Sequence, residues 1–149
     1  MIYTHLTRLA MKIAYDAHKD QTDLSGVPYV FHPYHLAEQM DDEKSTIIAL
    51  LHDVVEDSRY DFEDLSIFGF SSDKINTLKL LTRNKDVPYE EYIKNLLSDP
   101  YAVKVKTADL IHNSDKTRCP NETSKTEKLR LKYKAALEYL QSCTQQLNQ

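Results

Sequence analysis

Only two glycines, Gly26 and Gly69, occur in this chain of 149 residues, where average usage of about 7% would supply roughly ten. A phosphate-cradling loop or a dinucleotide fingerprint needs two or three glycines within one short loop, and these two lie far apart. With no tryptophan either, the turn-rich β-sandwich is disfavoured. The expected class is all-α, a single helical bundle of about seven to eight helices.

Composition agrees with one cored domain over 1–149. Hydrophobic residues make up 41% and charged residues 28%, the balance of a globular protein and not of a disordered one. Nineteen Lys and Arg face 23 Asp and Glu, a net charge of −4. A surface of that sign gains nothing from counterion release, so no nucleic-acid partner is expected. Cys119 and Cys143 form no CxxC pair, which points away from a zinc knuckle or a disulfide framework. Thr4, His5, Arg8 and Lys12 interrupt the N-terminal segment, unlike a secretory signal. No run approaches the 18 or so apolar residues of a membrane span. A cytoplasmic protein with no membrane partner is expected, and no spacing specifies its oligomeric state.

Apolar residues at three- and four-residue steps predict a first helix from about Thr4 to His18. A turn-forming loop over 19–31 follows, carrying Asp20, Asp23, Ser25, Gly26 and Pro28. His32-Pro33 then opens a short helix to about Met40, with proline at the first helical position. Further helices are expected near 61–67, 72–82, 88–97, 101–116 and 124–142, with an exposed loop from Cys119 to Lys125.

Segment 44–57, KSTIIALLHDVVED, says most about chemistry. Read as one helix it is apolar on almost every side, the mark of a buried helix. Its second half nevertheless carries His52, Asp53, Glu56 and Asp57. His52 and Glu56 are four apart, as are Asp53 and Asp57, so each pair would share a face. Three carboxylates and an imidazole at one end of a buried helix repel and are costly to desolvate. Either basic side chains reach in, or a divalent cation sits there. A solvated helix end is the plain alternative, although acid at a C-terminus opposes the helix dipole. Asp109 and His112 in KVKTADLIHN and His32 after Val30-Phe31 offer further ligands. Two histidines and two aspartates suit manganese, iron or zinc better than calcium. His5 and His35 read as surface or satisfied histidines.

The order His32, His52-Asp53, Asp109 resembles the HD superfamily of metal-dependent phosphohydrolases. The segments AHKDQTDLSGVPYVFHPYHLAEQM (17–40), ALLHDVVEDS (49–58), LLTR (80–83) and VKTADLIHN (105–113) are similar to the hydrolase domain of the RelA/SpoT alarmone enzymes and their small stand-alone relatives. The resemblance implies a divalent metal, usually manganese, bound by His32, His52, Asp53 and Asp109. It implies Glu56 and Asp57 as the catalytic pair, with metal-activated water as nucleophile. It implies substrate contacts from Tyr29, Arg83, Lys106 and Asn113. A solvated helix face remains the other reading of Arg83 and Lys106. The implied substrate is a phosphorylated nucleotide, guanosine tetraphosphate (ppGpp) first, cleaved at its 3′-pyrophosphate. No synthetase domain is expected.

Two departures bear on the base. Gln21-Thr22-Asp23-Leu24-Ser25-Gly26 stands where the family reads Gln-x-Arg-Lys-Ser-Gly, and Leu110 replaces an arginine. The family's arginine packs on guanine, which an aspartate cannot do. An arginine restored at position 23 is therefore expected to lower KM. A general HD-type phosphatase on another nucleotide and a non-catalytic nucleotide-binding module are the alternatives.

Overall fold

Helix α3, Glu43–Leu51, forms the axis of the molecule. The Asp42 carboxylate caps its start, accepting the Ser45 N–H at 2.8 Å. Every residue from Ser45 to Leu51 is buried, as the all-round apolar pattern predicts. Around it pack α1 (His5–His18), α2 (Phe31–Glu38), α6 (Ser72–Leu81) and α8 (Pro100–Asn113). The remaining helices are α4 (Val54–Asp57), α5 (Phe62–Ile67), α7 (Tyr89–Asn95) and α9 (Ser124–Leu147), with 3₁₀ turns at Leu96–Ser98 and Lys116–Arg118. The computed structural model describes residues 1–147, so the last two residues of the expected 1–149 domain lie outside it. Among the described residues there is no β-strand, only a backbone bridge between Thr22 and Pro28. The all-α expectation holds.

The described residues form nine α-helices instead of the expected seven or eight, because 44–57 is two helices. His52 ends α3 and Asp53, at φ −104° and ψ −2°, precedes α4. Across this break the Asp57 N–H still bonds the Asp53 carbonyl at 3.1 Å, so these two residues stay one turn apart. The start of α2 also differs, since Phe31 and not Pro33 is its first residue. Proline is accommodated because N–H groups of the first turn have no acceptor within the helix.

Helix α8 starts as proline favours, with Pro100 first and the Asp99 carboxylate accepting the Tyr101 N–H at 2.9 Å. It buries Ala102, Val105, Ala108, Asp109 and Leu110 and packs between α3 and α9. Gly26 turns the 22–28 loop at φ +82° and Gly69 turns the chain after α5 at φ +108°. Both glycines occupy the left-handed region that side chains disfavour. No described helix is long and apolar enough to cross a membrane.

Candidate active site

Three elements bring His32 from α2, His52 and Asp53 from the α3–α4 break, and Asp109 from α8 to one point. Ligand atoms of His32, His52 and Asp109 lie within 4.8 Å of one another, and all three residues are buried. Asp109 Oδ1 is 2.9 Å from His32 Nε2 and 3.7 Å from His52 Nε2. Asp53 Oδ2 is 3.0 Å from His52 Nε2 and 3.9 Å from His32 Nε2. Ligand bonds of about 2.1 Å to a central ion place adjacent donors about 3 Å apart. His32, His52 and Asp109 fit a divalent cation, with the Asp53 carboxylate beside them.

The hydrogen bonds behind the imidazoles support that fit. His52 Nδ1 donates to the Ala49 carbonyl at 2.7 Å, which turns Nε2 inward toward the Asp53 and Asp109 carboxylates. His32 Nδ1 lies 2.7 Å from His112 Nδ1. Burial, then the Arg118 charge, lowers the His112 pKa to about 4, so neutral His112 can accept from His32 Nδ1, while His32 Nε2 faces Asp109 Oδ1 at 2.9 Å. Such outer partners fix the tautomer of metal-binding histidines. The pocket is also built for positive charge. Burial opposes a charge on His52, yet Asp53 and Asp109 raise its pKa well above the ordinary value. Burial alone would raise the Asp53 carboxyl, but the His52 charge brings it down to about 2. Burial would likewise raise Asp109, which Lys106 and the two imidazoles hold well below the usual range.

Beside these residues opens a cavity of about 330 Å³ whose walls include Tyr29, Glu56, Asp57, Arg83, Lys106 and Asn113. All six residues expected around the site thus meet in one cavity. Glu56 Oε1 accepts the Arg83 backbone N–H at 2.6 Å. Desolvation at the crowded mouth, with the neighbouring Asp53 charge, raises the pKa of both Glu56 and Asp57. Tyr29 donates to Asp53 Oδ2 at 2.5 Å; burial and then the Asp53 charge raise its pKa and keep it a donor. Asn113 Nδ2 donates to Asp109 Oδ1 at 2.8 Å. Lys106 is no solvated helix residue: its side chain is 14% exposed and its Nζ lies 2.8 Å from Asp109 Oδ2. The Arg83 guanidinium lies 5.2 Å from the Tyr89 ring centroid.

Several lining residues have no counterpart in the sequence reading. Leu129, Lys132 and Tyr133 of α9 close the cavity together with Tyr89 and Tyr92. Their spacing at i, i+3 and i+4 was the available signal. His112 reads from sequence as a possible ligand, but the fold sets it behind His32, with His35 stacked on its far face at 4.2 Å.

A second cavity of about 320 Å³ adjoins the first, sharing Tyr29, Asn113, Leu129 and Tyr133, and includes Asp23 and Arg118. Asp23 Oδ1 accepts the N–H groups of Ser25 at 2.8 Å and Val27 at 3.0 Å. Its Oδ2 lies 3.7 Å from Arg118 Nη2. Arginine at position 23 would remove the one oxygen that accepts two loop hydrogen bonds and would set like charges together. The nearby cation comes instead from Arg118, whose Nη1 donates to the His112 carbonyl at 3.0 Å and Asn113 Oδ1 at 3.3 Å.

No protein-family model matches the chain. Its sequence is 35% identical over 121 residues to the bifunctional (p)ppGpp synthase/hydrolase SpoT of Escherichia coli K12, covering 71% of this chain and 17% of that protein. It is 37% identical over 116 residues to the guanosine-3′,5′-bis(diphosphate) 3′-pyrophosphohydrolase of Haemophilus influenzae, covering 68% and 17%. The chain thus spans about a sixth of the length of these curated relatives. Among solved structures, a metazoan ortholog of SpoT described as hydrolyzing ppGpp superposes with a TM-score of 0.73 at 22% identity, over 94% of this chain and 87% of that one. That likeness shows the fold.

Proposed function

We propose, for a chain that is a sequence relative of the SpoT-type proteins and shares its fold with their metazoan ortholog, that it is a cytoplasmic, metal-dependent phosphohydrolase releasing pyrophosphate from the 3′ position of ppGpp. The observation that carries this reading is the convergence of two inward-facing imidazoles and two carboxylates beside the cavity that Glu56 and Asp57 line. His32, His52, Asp53 and Asp109 would hold the cation, with manganese the proposed ion. When bound, it lowers the pKa of a water and polarises a phosphoryl oxygen.

The residues of this chain handle protons and charge. Glu56, its Oε1 held by the Arg83 N–H, takes a proton from the attacking water. Asp57 gives one to ribose O3′. The water oxygen bonds to phosphorus, the P–O3′ bond breaks, and pyrophosphate leaves with GDP as the other product. Raised pKa values at both carboxyls suit groups that exchange protons near neutral pH. Arg83 and Lys106 balance phosphate charge. Tyr29 and Asn113, shared by both cavities, place the nucleoside toward Asp23 and Arg118.

The test is a manganese-dependent release screen over ppGpp, NADPH and nucleoside 5′-monophosphates. Pyrophosphate from ppGpp is the expected product. Orthophosphate from 5′-monophosphates alone would assign the site to a general nucleotide phosphatase. Tight nucleotide binding with no release would assign it to a binding module.

A further inference from the structure

His18 ends α1 with no solvent exposure and lies outside the walls of both cavities. Its Nδ1 is 2.8 Å from Gln21 Oε1. The same glutamine's Nε2 donates to the Ala17 carbonyl at 3.1 Å and the Asp57 carbonyl at 2.7 Å. Two carbonyl partners fix that end as the NH₂, so the end facing His18 is the oxygen and His18 Nδ1 must carry the proton. Gln21 therefore straps the end of α1 to the end of α4, and His18 Nδ1 donates to the oxygen of the strap. The Gln21 carbonyl also accepts the Tyr29 N–H at 2.9 Å, and the His18 ring sits edge-on to Tyr29 at 5.1 Å.

Helix α4 is four residues long and has no side-chain N-cap, so the position of Asp57 depends on such outside bonds. Packing alone does not account for an imidazole here, since His18 Nε2 is buried without a hydrogen-bond partner among the described residues. A leucine would fill similar space without leaving that polar atom unpaired. We propose that His18 is a positioning residue that acts through the Gln21 amide to set Asp57 against the leaving O3′. The inference rests on the reading of Asp57 as the acid.

The experiment compares His18→Leu, His18→Asn and Gln21→Met with the unaltered manganese-loaded protein. Asparagine can place an amide N–H where Nδ1–H stood, whereas leucine cannot. Misplacement of a catalytic group by an ångström costs up to about a hundredfold. His18→Leu and Gln21→Met should lower kcat for ppGpp about ten- to a hundredfold with KM within about threefold, and His18→Asn should recover most of it. Leucine at full kcat, or asparagine and leucine losing kcat equally alongside equal falls in melting temperature, would overturn the proposal. A readout independent of turnover is the ¹⁵N spectrum of the His18 imidazole, expected as the Nδ1–H tautomer. An Nε2–H tautomer overturns the strap even in an active protein. If the unaltered protein hydrolyses no nucleotide, the reading of the site fails while the spectrum still decides the strap.

Discussion

Glu56 holds its carboxylate near Asp53 and Asp57, where desolvation and then the Asp53 charge raise its pKa above the ordinary 4.5. A carboxyl whose folded pKa is raised contributes stability that is complete below the unfolded value and is lost as pH rises through the folded one. At neutral pH the ionised group therefore weakens the metal-free fold. Glutamine keeps Oε1 for the Arg83 N–H and carries no charge. Glu56→Gln should raise the melting temperature at pH 7 in chelator, with the gain fading below pH 4.5, while turnover falls about 10²- to 10⁴-fold. A lower melting temperature at pH 7 would contradict this. The reactive residues at 52–57 were legible because they crowd one short apolar segment. His112 behind His32 and Arg118 beside Asp23 were not, because each pair is brought together by packing between segments distant in sequence.

At the scale of elements, helix existence was readable from periodicity, and the break within 44–57 was not. Hydrophobic spacing runs straight through His52 and Asp53. At the break, His52 Nδ1 bonds back to Ala49, and Asp53 turns toward His52 and Tyr29. The break delivers two site residues from adjacent positions to one point. Helix α3 itself is held by burial. Leu51 is 1% exposed and Ile67 of α5 is 74% exposed. Leu51→Ala should cost about 2–5 kcal/mol of unfolding free energy in urea, and Ile67→Ala within about 0.5 kcal/mol. Equal costs would contradict the assignment of α3 as the core axis.

For the whole molecule, glycine scarcity argued against sheets and phosphate loops before any contact was known. The helical bundle then places α2, the α3–α4 break and α8 around a single point, while α9 supplies walls that no motif announces. The central claim is that these elements direct water onto the phosphorus attached to ribose O3′. Hydrolysis of ppGpp by the manganese-loaded protein in ¹⁸O-water tests it most directly. GDP and pyrophosphate should form in equal amounts, with one ¹⁸O in the pyrophosphate and none in the ribose hydroxyl, and His52→Ala should form neither product. Label in the ribose, or orthophosphate in place of pyrophosphate, would contradict the account.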